Sequence, residues 1–357
     1  MHDPAFTDAI QFALQHEVNW PRDPAAAPDK WGVHHADPPP YNRLRGPVHE
    51  SGGVSGVVWQ HGKELAAWGE PDRADLTFSV AKTYLAVLAG VALGQGLIGD
   101  VHEQVGQRVG GIGFDDSHNA QVTWAQLLNQ TSEWRGECLG MSDQVEHYRR
   151  VAHDPNPPGG KKGDLRPLAA PGTYWEYNDV RINQLSLALL HLFKKPLPDV
   201  LNETIMQPIG AGSNASAGWR WVGYDDAWVH IGGQRIQSVP GGSHWGAGLS
   251  ISARDQARVG QLLLSGGQHA GQALLSKLWV QSLSQPCPIA PFYGRLTWLN
   301  RNQELFPAAS ARSYCMVGAG GHYVWIDPEL DSVVVVRWID GANAAEFVAR
   351  VAAVLRG

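Results

Sequence analysis

The sequence predicts a mixed α/β (α+β) fold: an antiparallel sheet built from both chain ends, flanked by helices, with a mostly helical insertion. Three observations carry this. Two short alternating segments, "GVSGVVWQ" and "KELAAWGE", form one strand pair early in the chain. Three further strand-like runs, "SYCMVG", "YVWIDPEL" and "DSVVVVRW", stand near the other end. The clearest helical patterns fall between the two groups. On this basis residues 1–48 read as a proline-rich N-terminal wrap. Residues 49–100 and 225–357 read as the α/β region, and residues 101–224 as mostly helical.

Each element has a local reason. Residues 20–48 are crowded with proline, so they predict extended surface chain that wraps the outside. His61 and Gly62 make a tight turn between strands expected at about 54–60 and 63–69. From Ser79 to about Gly96 apolar side chains lie all round the helical wheel, which predicts a centrally buried helix whose serine end faces a cleft. Thr123 caps a helix in "TWAQLLNQ". Residues 145–176, with "DPNPPGGKKGD" as a solvated excursion, predict loop. A helix returns at "DVRINQLSLALLHLFKK" and stops at Pro196. Ser252 and Gly266 bracket an amphipathic helix, and "AAEFVARVAAVLRG" ends the chain as another.

Composition narrows the function classes. The 357 residues are 43% hydrophobic and only 17% charged, with 41 Gly and 15 Trp, which indicates a globular protein with many tight turns. With 34 acidic against 28 basic residues and no basic block, nucleic acid is excluded as an expected partner. The start lacks a basic region followed by an apolar one, so a cytoplasmic location is expected, and no apolar run reaches membrane-spanning length. Cys138, Cys287 and Cys315 are odd in number and far apart, which argues for reduced, buried thiols.

Three stretches carry chemistry. "TFSVAK", residues 77–82, sets a serine and a lysine three positions apart on one helix face. Ser79 and Lys82 can be a nucleophile and its base, with the Ser79 N–H available to an oxyanion, or an N-cap and a snorkelling lysine. The helix around Lys82 offers it no acidic partner. "PGTYWEYNDV" puts Tyr177 ahead of a helix capped by Asn178 or Asp179, where it relays protons or simply packs beside the cap. "MVGAGGHYVWI" lets backbone approach a ligand closely, or is a glycine-rich hairpin turn. G-x-S-x-G, G-x-x-x-x-G-K-[ST] and H-E-x-x-H patterns are all missing, so neither a hydrolase elbow, a phosphate loop nor a metal site is expected, and no cofactor is required.

In this order the stretches resemble the serine β-lactamase and penicillin-binding-protein superfamily, and within it the class C-like branch of esterases, D-aminopeptidases and 6-aminohexanoate-oligomer hydrolases. The resemblance begins at about residue 50 and implies a β-lactamase-like fold. It implies Ser79 as acylated nucleophile, Lys82 as base, Tyr177 as proton relay, and the backbone N–H groups of Ser79 and Ala319 as oxyanion donors. Asp179 stands where the Y-x-N motif usually has asparagine, as a substrate contact that can accept but not donate. Gly318, Gly320, Gly321 and His322 fall at the strand edge of the third motif, which lacks its usual cation. Trp134, Trp175, His244 and Trp245 are candidates for lining an acyl pocket. The function implied is a serine hydrolase cleaving a small-molecule ester or amide. A β-lactamase or DD-peptidase, and a catalytically silent binding protein on the same scaffold, are the alternatives.

Overall fold

A computed structural model describes residues 3–212 and 218–357; five residues of the 101–224 stretch therefore lie outside the described chain. The central sheet has six antiparallel strands: β1 (Ser55–Gln60), β2 (Lys63–Trp68), β3 (Trp298–Leu299), β4 (Tyr314–Gly318), β5 (His322–Asp327) and β6 (Ser332–Arg337). Their spatial order is β3-β4-β5-β6-β1-β2, so the two chain ends meet where β6 pairs with β1, with Val57 opposite Val335. Five of these strands, and the meeting of the two chain ends, are as expected from the sequence; the edge strand β3 is not.

The run Val333–Val336 is apolar at every position because both faces of the sheet are covered. Val333 and Val335 turn to the larger core beside the Ala253–Leu264 helix, while Val334 and Val336 turn to a second core shared with the Ala344–Leu355 helix. A Cβ on Gly260 would come within 2.6 Å of Val333, so glycine is what lets the first of these helices lie this close to the sheet.

Helix signals were read correctly at several ends. Thr123 and Gln126 form a reciprocal capping box. Ser252 accepts from the Asp255 N–H, and Asn178, not Asp179, caps the Asp179–Phe193 helix through the Val180 and Arg181 N–H groups. The buried helix begins later than expected. Phe78–Val80 is a 3-10 turn and the α-helix runs Ala81–Gly94, so Ser79 is not its cap.

The N-terminal segment departs most from expectation. Thr7–Gln15 is a helix, and Phe6, Ile10 and Ala13 bury a stripe in the same core as the terminal helix. Downstream, the proline-rich chain does not stay outside: Trp31, His34 and Asp37 are buried. The three cysteines are buried and unpaired. Among the described residues no helix is long and apolar enough to cross a membrane.

Candidate active site

Ser79 is presented by a turn held from both sides. Thr77 donates through its N–H (2.9 Å) and its hydroxyl (3.0 Å) to the Leu249 carbonyl, fixing the approach. Phe78 then takes a left-handed conformation at φ 51°, which costs a non-glycine residue about 1–3 kcal/mol and persists only where its surroundings enforce it. Its ring sits among Trp20, Trp31, His322 and Trp338 at centroid distances of 5.5–6.2 Å, a packing that fixes the backbone twist just before the serine.

One turn later Lys82 is 1% exposed and donates to Ser79 Oγ over 2.8 Å. Contrary to the sequence reading, it has an acidic partner: Lys82 Nζ ion-pairs with the Asp179 carboxylate. The partner comes from the far end of the Tyr177 segment, nearly one hundred residues on, which no local pattern reveals. Lys82 Nζ also stands 4.7 Å from the Tyr177 ring centre, with the Arg149 guanidinium 5.0 Å from the same ring. Tyr177 is held in place by backbone bonds on either side, Glu176 N–H to the Gln130 carbonyl (3.0 Å) and Asn178 N–H to the Gln130 side chain (3.1 Å).

Asp179, expected to contact substrate, is instead buried and does not line the cavity. It is 3% exposed, and its carboxylate meets Lys82, Arg149 (3.0 Å) and His244 (3.5 Å) behind the cavity wall. Burial opposes its ionisation, but the Arg149 and Lys82 charges outweigh burial and hold the carboxyl well below the usual carboxylate range. Glu146 continues the cluster: it pairs with Arg149 and with Lys162 (2.8 Å) and accepts from the Asp179 N–H (3.2 Å). Against its own burial, the Arg149 and Lys162 charges bring Glu146 down to about 2.

Asp37 closes the cluster from the N-terminal segment. It pairs with Lys162 and accepts from His244 Nε2 and Trp245 Nε1, both at 2.8 Å. The donor atoms of Asp37, Glu146 and His244 lie within 4.8 Å of one another, a spacing that could hold a metal ion. The Lys162 ammonium already stands among them, 2.8 Å from Glu146 and 3.3 Å from His244, so the positive charge at this position is the protein's own.

Ser79 and Tyr177 open on one cavity of about 440 Å³. Gly318, Ala319, Gly320, Gly321 and His244 lie in its wall. The other candidates do not reach it. Trp134 packs in the core against Phe114, with ring centres 5.0 Å apart, because Gly113 leaves it a slot. Trp175 stands behind Tyr177 against Phe292 and Tyr293. Trp245 is fully buried, spending its N–H on Asp37. His322 is buried between Phe78 and Trp338, and burial keeps its ring neutral to well below the usual histidine range.

Sequence reasoning missed Arg149, Glu146, Lys162, Asp37 and Gly242. A Cβ on Gly242 would stand 2.9 Å from Lys82 Nζ and 3.4 Å from Ser79 Oγ, so a bare backbone roofs the pair. The double glycine of "GGSHW" was the available signal for that residue. The charged residues carried none, because charge in a loop ordinarily means solvent.

A model of the Beta-lactamase family matches residues 42–353. The chain is 30% identical over 102 residues to a 6-aminohexanoate-dimer hydrolase of Paenarthrobacter ureafaciens, a match spanning 25% of this chain and 24% of that relative. Among solved structures it is similar to a penicillin-binding-protein homologue from Caulobacter crescentus (TM-score 0.63, 14% identity, 99% and 98% of the two chains). It is also similar to a family VIII carboxylesterase (TM-score 0.62, 17% identity, 98% of each chain). At such identities the structures speak for the fold alone, whereas the family match extends over most of the sequence. The chain belongs to the beta-lactamase family, a family of hydrolases.

Proposed function

We propose that this chain is a serine hydrolase that cleaves an ester or amide through an acyl-enzyme on Ser79. The observation that carries the reading is the 2.8 Å bond from Lys82 Nζ to Ser79 Oγ at the edge of a cavity that Tyr177 also lines. Lys82 first passes one of its protons to Asp179 or Tyr177, the three titrating as one unit, and the neutral amine then takes the Ser79 proton as Oγ attacks the substrate carbonyl carbon. Asp179 balances the positive charge on the lysine. The oxyanion accepts hydrogen bonds from the backbone N–H groups of Ser79 and Ala319. Tyr177 returns a proton to the leaving oxygen or nitrogen as the carbon–heteroatom bond breaks. Water then attacks the acyl carbon, the same groups take its proton, and the acid leaves with Ser79 restored.

The test is intact-mass spectrometry after a fluorophosphonate probe. A single adduct on the folded protein that disappears in Ser79→Ala supports the reading, with p-nitrophenyl ester hydrolysis falling about 10³-fold or more in that variant. A folded protein that forms no adduct is instead a binding protein on this scaffold. Hydrolysis of a chromogenic cephalosporin as fast as of esters would make it a β-lactamase.

A further inference from the structure

The cavity that Ser79 opens on has a neighbour. A second cavity of about 150 Å³ adjoins it, and Ala152, His153 and Trp298 line both. Ala152 contributes only a methyl group, so the divide is made by the His153 and Trp298 rings, which meet edge to face with centres 5.9 Å apart. Trp298 is the fixed half: it stands on β3 opposite Cys315, and its ring packs against Phe292 and Tyr293 (centres 6.2 and 5.1 Å apart). His153 comes instead from the loop that also carries Arg149 and Lys162. Burial raises the Tyr323 phenol and lowers the His153 imidazole to about 4, so at neutral pH the Tyr323 O–H donates to a neutral Nε2 over 3.3 Å.

The partition stands on one particular side of the site. Trp298 packs on the Tyr177 ring with centres 5.6 Å apart, and Tyr177 is the group that returns a proton to the leaving oxygen or nitrogen. Resting on the hydrolase reading above, we infer that His153 sets the size limit of the leaving alcohol or amine, by closing the cavity on the Tyr177 side against a second compartment. A leaving group that stops short of the imidazole is accommodated. A longer one meets a ring held by its packing on Trp298 and Tyr323, and overpacking of this kind is costly. Phe292, Leu299 and Leu305 give the closed-off space an apolar wall beside Asp154 and Glu304, so removing the imidazole opens room that an alkyl chain can fill.

Alkyl butyrates, followed by acid release, lengthen the leaving group while its electronic demand stays constant. The kcat/KM ratio of hexyl butyrate to ethyl butyrate is expected below one in the parent and to rise about 10- to 100-fold in His153→Ala. His153→Phe refills the space and should keep the parent's ratio within about threefold. The ratio of p-nitrophenyl hexanoate to p-nitrophenyl acetate, which lengthens the acyl side instead, should move less than about threefold in His153→Ala. An alkyl ratio that His153→Ala leaves unmoved, a larger shift in the acyl series, or a His153→Phe protein that behaves as His153→Ala overturns the inference while hydrolysis stands. Calorimetric titration with 1-hexanol reads the same space without turnover, and binding is expected to tighten about tenfold in His153→Ala. That gain, with no ester hydrolysed by the parent, supports the partition and sinks the hydrolase reading instead.

Discussion

Two clusters of buried charge lie side by side in this molecule, and they are built on opposite plans. In the cluster around Arg181 every carboxylate is saturated by directed hydrogen bonds. Glu133 accepts from Arg166 on both oxygens (2.6 and 2.7 Å), from Arg181 (2.9 Å) and from the Ala169 N–H (2.8 Å). Asp143 accepts from Arg181 twice (2.7 and 3.0 Å), from Asn178 (2.9 Å) and from His147 (2.8 Å). In the cluster beside Ser79, Asp179 is surrounded by Lys82, Arg149 and His244 at ion-pair range, yet neither of its oxygens accepts a well-directed hydrogen bond. Guanidinium forks fix geometry, whereas an ammonium is a point charge that can turn. The first cluster ties the loop of residues 130–181 into shape, and the second leaves its lysine able to exchange partners.

The sharpest way to break this contrast is to remove one charge from each cluster. Arg181→Met should cost about 3–5 kcal/mol of stability by leaving Glu133, Asp143 and Glu176 short of a cation. The folded fraction should keep its rate of acylation by the fluorophosphonate probe. Asp179→Asn should lower that acylation rate on the order of 10²-fold, because the ammonium that forms as Lys82 takes the Ser79 proton loses its counter-charge. Urea titration and acylation kinetics on both variants decide it. An Asp179→Asn protein that acylates as fast as the parent would show that the carboxylate has no part in activating Ser79.

A smaller effect is expected at the roof. Gly242→Ala places a methyl group against Lys82 Nζ and should cost about 1–3 kcal/mol by overpacking. Acylation should slow roughly tenfold as the Ser79–Lys82 geometry shifts. A crystal structure with the 2.8 Å contact retained and kinetics unchanged would show that the roof is looser than it looks.

The pH dependence of stability tests the same buried charges without a substitution at the site. Glu146 titrates at about 2 when folded against 4.5 in the unfolded chain, so between these values the unfolded chain binds the extra proton and stability falls as pH falls. Asp179, Glu133 and Asp143 are depressed too and act in the same direction. His153, which burial lowers to about 4, adds an earlier decline as pH drops below about 6.5. Denaturant midpoints should be level near neutrality and fall through both windows. Glu146→Gln should make only the lower decline shallower, and His153→Phe only the upper one, since the other depressed carboxylates and His322 remain.

How much of this was legible follows from the range of each signal. The strand pair around His61 and Gly62, the Thr123 and Ser252 caps and the Val333–Val336 run are local or periodic, and they read correctly. Ser79, Lys82 and Tyr177 could be singled out because each sits in a short patterned stretch. Asp179 was noticed for the wrong reason: its place beside Tyr177 suggested a substrate contact, while its partner Lys82 is brought to it only by the packing of two helices. Asp37, Glu146 and Lys162 meet across still longer separations in sequence, where periodicity says nothing. Trp134 and Trp245 show the converse error, since an aromatic residue near a motif in sequence can face the core as readily as the cavity.

The family match begins at residue 42, yet Trp20, Val33 and Ala36 stand in the cavity wall and Asp37 braces His244 and Lys162 from beneath it. The segment before the family match thus reaches the site in two ways: Val33 and Ala36 form cavity wall alone, while Trp20 and Trp31 also pack on Phe78 just before Ser79. Substitutions at Val33 and Ala36 reshape the cavity without touching Ser79, Lys82 or Tyr177, whereas substitutions at Trp20 and Trp31 disturb the turn that presents Ser79.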